Sequence, residues 1–400
     1  MNKDWEIKKL CELGNIFSGN SINEKEKKSY MDLSKKGLFY VATKDISTDS
    51  EIEYENGILI PDECLSKFKI AHKDSVLICA EGGSAGKKLA YNSEYDICFV
   101  NKLFAFESKN SIFPKFVFYY YQSSDFSKHF KNRLAGLIGG VSLQKFKEIQ
   151  CPVPPLEEQK RIVKILDEKF TQLEKIKTNA QTNLQNAKDL FQSQLAKAFS
   201  NTTWEKKRLQ DCTSIIGDGL HGTPKYDENG NYYFINGSNL TITDIVFTPE
   251  TKRVNETEYQ KYKVELNENT VFLSINGSTL GKRTAFYNNE PVILGKSACY
   301  INVKSNTLNK YYLRHFFNSD IFQEYAWKEK TGAAIPNLGL KAMRDLKIPL
   351  PPLPEQKRIV EQLDSLSEKT KALQNIYEQM LLDCEELKQG FLCKAFAGEL

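Results

Sequence analysis

The sequence predicts an α+β fold with two tandem domains of mixed α/β structure, each followed by a long helix, the two helices pairing as an antiparallel coiled coil. The first observation behind this prediction is a repeat. "LEEQKRIVKILDEKF" begins at Leu156 and "LPEQKRIVEQLDSL" begins at Leu353, which is 197 residues later (353 − 156). The second is that each copy follows a proline run and opens a segment with helical periodicity. The third is that the rest of each half contains short runs with the composition of β-strands.

The repeat covers most of the chain. "KDSVLICAEGGSAGKKLAY" (73–91) matches "ENTVFLSINGSTLGKRTAF" (268–286), and "LAKAF" (195–199) matches "LCKAF" (392–396). The 400 residues also exceed one ordinary core and leave room for two domains. The predicted organisation is a first domain at 1–150, a central helical arm at 151–200, a second domain at 201–347 and a C-terminal helical arm at 348–400.

The arms are predicted to be uninterrupted helices. Neither Gly nor Pro occurs between Leu156 and Phe199, and the prolines just before Leu156 favour a helix start. Apolar residues recur at steps of three and four, which is typical of a coiled-coil seam. In the first arm they are Ile162, Leu166, Phe170, Leu173, Ile176, Ala180, Leu184, Ala187, Phe191, Leu195 and Ala198. Antiparallel pairing would place the two domains at opposite ends of the arms, whereas ordinary bundle packing or a homo-oligomer stalk is the alternative.

The domains are predicted to combine strands with a helix that packs on them. The predicted strands are 36–43, 74–80, 96–107, 231–237 and 270–277. Just before each arm, "PKFVFYYYQSSDFSKHF" and "NKYYLRHFFNSDIFQEYA" have aromatic residues at helical spacing. Core packing is the favoured interpretation of these aromatic residues, and stacking on nucleic-acid bases is the alternative.

Two glycine loops, "EGGSAGKK" (81–88) and "NGSTLGKR" (276–283), invite a functional interpretation. They are not nucleotide-binding P-loops, because only three residues separate their glycines and Lys88 or Arg283 stands where Ser or Thr is required. They are either hairpin turns with a solvated basic end or loops that approach a nucleic-acid backbone. On the second interpretation the phosphate contacts are Lys87, Lys88, Lys282 and Arg283, and Ser84, Ser278 and Thr279 lie near base edges.

Two further segments supply candidate DNA contacts. "TKDIS" (43–47) and "NGSNLT" (236–241) contain Lys44, Asn236 and Asn239, whose side chains suit guanine or adenine edges. "DGLHGTP" (218–224) adds His221 and Thr223. We interpret His221 as a loop residue or hydrogen-bonding partner in preference to a catalytic base.

Several classes of protein are excluded by what the sequence lacks. It has no apolar run long enough to cross a bilayer, and its start has no signal-peptide core. Its nine cysteines form no C-x-x-C pair, which favours a reduced, cytoplasmic protein over a disulfide framework or a zinc ribbon. There is no N-P-P-[YFW] or H-E-x-x-H motif, no G-x-G-x-x-G follows a predicted strand, and no active site is predicted. A net charge of +4 permits a polyanionic partner without requiring one.

The doubled "P-P-L-x-E-Q-K-R-I-V" helix after each domain resembles the DNA specificity subunit of type I restriction-modification systems, and "DGLHGTP" and "GSTLGK" resemble segments of that family's target recognition domains. The resemblance implies a non-catalytic subunit in which each domain recognises one half of an asymmetric, bipartite site in double-stranded DNA. It also implies that the arms dock two methyltransferase subunits, which carry S-adenosylmethionine. Restriction subunits that use ATP and Mg²⁺ then join the complex.

The first domain has "FSGNSINEKEKKSY" (17–30) in place of the D-G-x-H-x-T-P segment, which indicates two different half-sites. A fused restriction or methylation enzyme is one alternative, but it would need catalytic motifs and several hundred more residues. A structural coiled-coil protein is the other, and it would leave the glycine loops unexplained.

Overall fold

The computed structural model describes residues 5–31, 36–135, 139–332 and 334–400. The chain forms two compact units. Unit 1 comprises Met1–Ala180 and Gln379–Leu400, and unit 2 comprises Gln181–Glu378. Each unit therefore contains one globular domain and a stretch of both long helices.

The domain of unit 1 is built from short strands joined by loops and short helices. Its strands are β1 (Glu6–Lys9), β2 (Gly14–Ser18), β3 (Gly37–Val41), β4 (Leu59–Pro61), β5 (Ile70–Ala71), β6 (Ser75–Cys79), β7 (Leu89–Asn92), β8 (Ile97–Phe99), β9 (Leu103–Ser108) and β10 (Gln150–Val153). Its helices are α1 (Leu10–Leu13), α2 (Glu24–Ser29), α3 (Pro114–Gln122), α4 (Ser124–Lys131) and α5 (Leu143–Lys147), and the long helix α6 (Leu156–Phe199) follows.

These strands form two four-stranded sheets and one pair. One sheet has the order β2-β9-β6-β7 and is antiparallel throughout. The other has the order β4-β3-β8-β5, and its central strands β3 and β8 are parallel. The antiparallel pair β1 and β10 joins the start of the domain to the residues just before α6.

The domain of unit 2 repeats this plan. Its strands are β11 (Lys206–Arg208), β12 (Thr213–Gly217), β13 (Tyr232–Ile235), β14 (Arg253–Val254), β15 (Thr270–Ser274), β16 (Thr284–Phe286), β17 (Val292–Leu294), β18 (Ala298–Val303) and β19 (Lys347–Pro349). Its helices are α7 (Glu256–Tyr262), α8 (Lys310–Phe317), α9 (Asp320–Glu329) and α10 (Leu340–Asp345), and the long helix α11 (Leu353–Ala397) follows.

The order β12-β18-β15-β16 reproduces the first sheet of unit 1, and the order β14-β13-β17 reproduces the second without a counterpart of β5 among the described residues. The pair β11 and β19 closes the domain as β1 and β10 do. The duplicated sequence therefore encodes a duplicated domain.

One predicted strand is wrong as a single element. The run 96–107 is divided into β8 and β9 by a turn, in which the Leu103 N–H donates to the Val100 carbonyl at 3.1 Å. Strand β8 pairs in the sheet that contains β3, whereas β9 pairs in the sheet that contains β6. Most of the run is apolar because both strands are buried, and composition alone does not show where the chain changes sheet.

The aromatic segments before the arms pack in the core, as favoured from the sequence. In unit 1, Phe116, Tyr120 and Phe126 on α3 and α4 are at most 1% exposed. They lie in one cluster with Val76 and Phe106 from the first sheet. In unit 2, Tyr312, Phe316 and Phe322 on α8 and α9 are buried in the same way.

The long helices pair antiparallel inside each unit. In unit 1, ascending positions of α6 contact descending positions of α11 and of the residues after it: Arg161 contacts Leu400, Phe170 contacts Lys388, and Lys177 contacts Glu385. In unit 2, Leu195 and Phe199 of α6 share a core with Ile359 and Leu363 of α11. Helix α6 has the predicted limits. Among the described residues, none of the helices combines the length and the apolar character that a membrane span requires.

The seam differs from the prediction at one level of α6. Ile176 is 42% exposed, whereas the Lys177 side chain is only 22% exposed. The Lys177 ammonium lies 3.1 Å from the Asp49 carboxylate and 4.0 Å from that of Glu385. The apolar spacing did not predict that Lys177 is less exposed than Ile176 here, because the position of Lys177 depends on an acidic partner, Asp49, from a distant loop.

The repeated motif at the start of each arm contains a glutamine that is 0% exposed. The Gln159 amide accepts a hydrogen bond from the Phe113 N–H at 2.7 Å and donates to the Pro154 carbonyl at 2.8 Å. Gln356 makes the same bonds with the Asn309 N–H, at 2.8 Å, and the Pro351 carbonyl, at 2.9 Å. In each unit this side chain fastens the start of the arm to the loop before the aromatic helix.

Candidate nucleic-acid interface

Each glycine loop connects two antiparallel strands, β6 to β7 in unit 1 and β15 to β16 in unit 2. The backbone has a positive φ at the first and the last glycine of each loop, 82° and 69° at Gly82 and Gly86, and 74° and 72° at Gly277 and Gly281. Residues other than glycine rarely adopt this backbone conformation. At Gly86 a Cβ atom would also lie 2.7 Å from the Phe130 ring. The three-residue spacing of the glycines is therefore a requirement of the turn.

The N–H groups of the glycine loops bond mainly inside the protein. The Gly82 N–H donates to the Gly139 carbonyl, and the Gly86 N–H donates to the Cys79 carbonyl, both at 2.8 Å. In unit 2 the Gly277 N–H donates to the Pro336 carbonyl at 2.8 Å, and the Gly281 N–H donates to the Ser274 carbonyl at 2.7 Å. Since these four donors are occupied, they are not available to bind an anion.

The last basic residue of each glycine loop holds a neighbouring turn. The Lys88 ammonium donates to the Thr43 carbonyl at 3.0 Å. The Arg283 guanidinium donates to the Ser238 carbonyl at 2.9 Å. The structure thus brings together, in each domain, the two segments that the sequence selected separately.

This neighbouring turn, residues 42–45 in unit 1 and 236–239 in unit 2, is closed by a side-chain cap. The Ala42 N–H donates to the Asp45 carboxylate at 2.8 Å, and the Asn236 N–H donates to the Asn239 amide oxygen at 3.0 Å. The Asn236 amide oxygen accepts from the Ser297 hydroxyl at 3.0 Å. The two asparagines are therefore engaged within the domain in the absence of DNA.

The other candidate side chains differ in exposure. Those that are exposed at the surface are Lys44, Lys87, His221, Thr223, Ser278 and Lys282. Ser84 is half-buried, and the Thr279 hydroxyl lies 2.8 Å from the buried Ser274 hydroxyl. The exposed lysines are best placed to meet a phosphate, whereas Thr279 supports the loop. All of these assignments as DNA contacts remain predictions.

His221 lines a cavity of about 390 Å³ in unit 2. Its Nε2 lies 2.7 Å from the Asp218 carboxylate. Asn276 from the glycine loop, Lys296 and Asn337 line the same cavity. Sequence reasoning did not select these three polar residues, because they come from separate loops that meet only in the folded domain. Lys296 had one signal, since it lies two residues after the buried strand β17.

The start of the D-G-x-H-x-T-P segment has a structural counterpart in unit 1. The Leu220 N–H donates to the Leu294 carbonyl at 2.7 Å, and the Asn20 N–H donates to the Phe99 carbonyl at 2.8 Å. Beyond Asn20 the chain forms helix α2, whereas unit 2 continues as the loop that carries His221. The two domains therefore share a framework and differ in the side chains that they present from it.

Comparisons with known proteins agree with this architecture. A family model described as the type I restriction modification DNA specificity domain matches residues 2–184 and 201–381. The StySPI specificity subunit of Salmonella potsdam is 25% identical over 83% of this chain and 76% of its own length. The MjaVIII specificity subunit of Methanocaldococcus jannaschii is 26% identical over 80% of this chain and 81% of its own length.

Two solved structures share the fold. A chain from a study of complex assembly and conformational transition of the type I restriction-modification system superimposes with a TM-score of 0.80, at 20% identity, and covers 100% of this chain and 99% of its own. The HsdS subunit from Thermoanaerobacter tengcongensis superimposes with a TM-score of 0.63, also at 20% identity, over 100% and 98% of the two chains. The relatives are named as specificity subunits, which are DNA-recognition rather than catalytic subunits. The resemblance seen in the sequence is confirmed: this chain belongs to the family of type I restriction-modification DNA specificity subunits.

Proposed function

We propose that this subunit recognises an asymmetric, bipartite site in double-stranded DNA and docks two methyltransferase subunits, through which restriction subunits join the complex. The observation that carries the proposal is that the two domains share one scaffold but present different side chains from the loops on it. Each domain presents a glycine loop held to a capped turn by a basic side chain. One scaffold used twice supports two similar half-site contacts on DNA.

The unequal loops support different half-sites. At equivalent positions of the capped turn, unit 1 presents Lys44 and unit 2 presents Ser238. The His221 cavity of unit 2 is lined in part by the D-G-x-H-x-T-P segment, which unit 1 replaces with a segment that contains helix α2. Because bases are discriminated by the donors and acceptors that side chains present, the two domains should read different bases.

The long helices carry an apolar surface that is also repeated. In unit 1, Ile176 and Leu387 are 42% and 52% exposed. In unit 2, Leu373 and Leu190 are 40% and 45% exposed. By the offset of 197 in the sequence, Ile176 corresponds to Leu373 and Leu190 to Leu387. Each unit therefore has one copy of the same surface, and two copies suit two identical protein partners.

The chemistry of the complex belongs to the partner subunits in this proposal. S-adenosylmethionine would be bound by the methyltransferase subunits, and ATP and Mg²⁺ would be used by the restriction subunits. No cluster of His, Cys, Asp and Glu suited to a metal ion lies in the described parts of this chain. We place the complex in the cytoplasm, where it would meet cellular DNA.

Reconstitution tests this proposal. The purified chain, its methyltransferase partner and their mixture are each incubated with genomic DNA and radiolabelled S-adenosylmethionine. Methyl transfer by the mixture alone is expected, and transfer by this chain alone would contradict the assignment of chemistry to the partner.

Native mass spectrometry tests the docking surfaces. The native chain should carry two methyltransferase subunits. Ile176→Asp with Leu387→Asp should leave one, and Leu373→Asp with Leu190→Asp should also leave one. The matched control is Thr171→Asp, which places a carboxylate at an exposed position about 140° around α6 from Ile176. Two bound subunits in both double variants would show that these surfaces are not the docking sites.

A further inference from the structure

Trp327 is an unusually exposed tryptophan on helix α9. The indole is 61% exposed, whereas Trp5 is 9% exposed and Trp204 is half-buried. The Lys330 ammonium lies 3.5 Å from the centroid of the indole ring. An indole this exposed is uncommon on a protein surface and suits a contact with a partner, and aromatic rings accompanied by cations are one means by which proteins contact nucleic acid.

The position of Trp327 connects it with the glycine loop of unit 2. Gln323 is one helical turn before Trp327 and therefore on the same face of α9. The Gln323 amide donates to the Gly281 carbonyl at 2.7 Å. After the helix, the chain returns to the loop, where the Pro336 carbonyl accepts from the Gly277 N–H. The helix that carries the indole is therefore bonded to the glycine loop twice, by Gln323 within the helix and by Pro336 after it.

The equivalent position in unit 1 is also suited to DNA. Phe126 and Phe322 occupy the same place in α4 and α9, since the N–H of each faces the hydroxyl of a capping serine, Ser123 or Ser319. Lys131 lies five residues after Phe126, and Trp327 lies five residues after Phe322, so Lys131 is the counterpart of Trp327. Lys131 is exposed as well. One scaffold position therefore carries a cation in one domain and an aromatic ring in the other.

From this placement we infer that Trp327 is a DNA-contacting residue of the second domain: its indole packs against a base or sugar next to the segment met by the glycine loop, and Lys330 contacts a neighbouring phosphate. The inference rests on the proposed function and adds a contact type to it. Aromatic and apolar side chains contact DNA by stacking on bases or by wedging between base steps. The first domain makes a phosphate contact with Lys131 at the same position.

Binding measurements test this inference in the complex with the methyltransferase subunits. The probe is a duplex oligonucleotide with the bipartite motif that methylation mapping yields. Trp327→Ala should weaken binding about 10-fold without changing the salt slope, because a stacking contact releases no counterions. Lys330→Ala should reduce the slope by about one. Trp327→Lys, which copies the first domain, should recover part of the affinity and make the slope steeper by about one.

A fluorescence difference supplies an independent readout. Duplex should quench the native complex more than the Trp327→Phe complex, and subtracting the two removes the signals of all other tryptophans. Ile321→Ala is the control, since Ile321 is 41% exposed on another face of the same helix, and it should bind like the native chain.

The inference would be overturned if the Trp327→Ala complex bound the duplex with native affinity and the duplex did not quench the fluorescence difference. The proposed function would then still stand. A difference signal that responds to the methyltransferase subunits and not to duplex would assign Trp327 to a protein interface, which also overturns it. A native complex without affinity for the duplex would instead contradict the proposed function.

Discussion

A single buried glutamine connects each arm to its domain, and its loss should be costly. Gln159→Leu would leave the Phe113 N–H and the Pro154 carbonyl without their partner. Buried groups that lose a partner cost ~1–3 kcal/mol each, so a loss of about 3 kcal/mol of unfolding free energy is expected. Thermal unfolding measures it. Lys160→Leu, one residue further along and exposed, should change stability little, and equal effects of both substitutions would contradict the anchoring role.

His315 in unit 2 should make that domain sensitive to acid. It is 3% exposed, and burial lowers the pKa of its imidazole from 6.5 to about 4, with the Arg314 guanidinium acting in the same direction. The Asp364 carboxylate at 2.8 Å opposes this shift. Because the unfolded chain takes up the proton more readily, stability is full above pH 6.5 and is lost as the pH falls towards 4.

The free energy of unfolding is expected to fall by about 2 kcal/mol between pH 7 and pH 5. His315→Tyr provides the matched variant, because the counterpart in unit 1 is Tyr119, whose hydroxyl contacts Asp167 as His315 contacts Asp364. Thermal unfolding of the variant should depend less on pH over this range. An equal pH dependence of variant and native chain would show that His315 is not the responsible group.

At the scale of elements, the two basic residues of a glycine loop should have different roles. Lys282 is exposed, whereas the Arg283 guanidinium donates to the Ser238 carbonyl. Lys282→Ala should weaken binding to every duplex alike and reduce the salt slope by about one. Arg283→Ala releases the capped turn, so it should reduce discrimination between the target and other sequences more than it reduces the salt slope.

Binding titrations at several salt concentrations measure both effects. Lys87→Ala and Lys88→Ala provide the same comparison in unit 1, where Lys88 holds the Thr43 carbonyl. If Lys282→Ala and Arg283→Ala changed the salt slope equally and left discrimination intact, both residues would be simple phosphate contacts.

The elements that could be predicted are those determined by local patterns. The limits of α6 follow from an unbroken segment after prolines, and the interior position of the aromatic helices follows from their spacing. The break between β8 and β9 could not be predicted, because it reflects membership of two different sheets. The meeting of Arg283 with Ser238, and of His221 with Asn276 and Lys296, joins loops that are distant in sequence, and a single sequence contains no local signal for such contacts.

At the scale of the whole molecule, the repeat predicts that half of the chain can replace the other half. Residues 379–400 pack on residues 156–180 in unit 1. Their buried Leu392, Ala395 and Phe396 correspond to Leu195, Ala198 and Phe199 of the first arm. A fragment ending at Ser200 should therefore dimerise, with the arm of a second copy in place of the missing helix. Sedimentation measures this, and a folded fragment that stays monomeric would contradict it.

The central claim is that the two domains of one chain recognise two different half-sites. It is tested most directly by mapping methylated bases in genomic DNA from cells that contain the complete complex. The expected motif is two short, unlike sequences separated by a spacer of fixed length without sequence preference, with methylation in both. A single uninterrupted motif, or two identical half-sites, would contradict the claim.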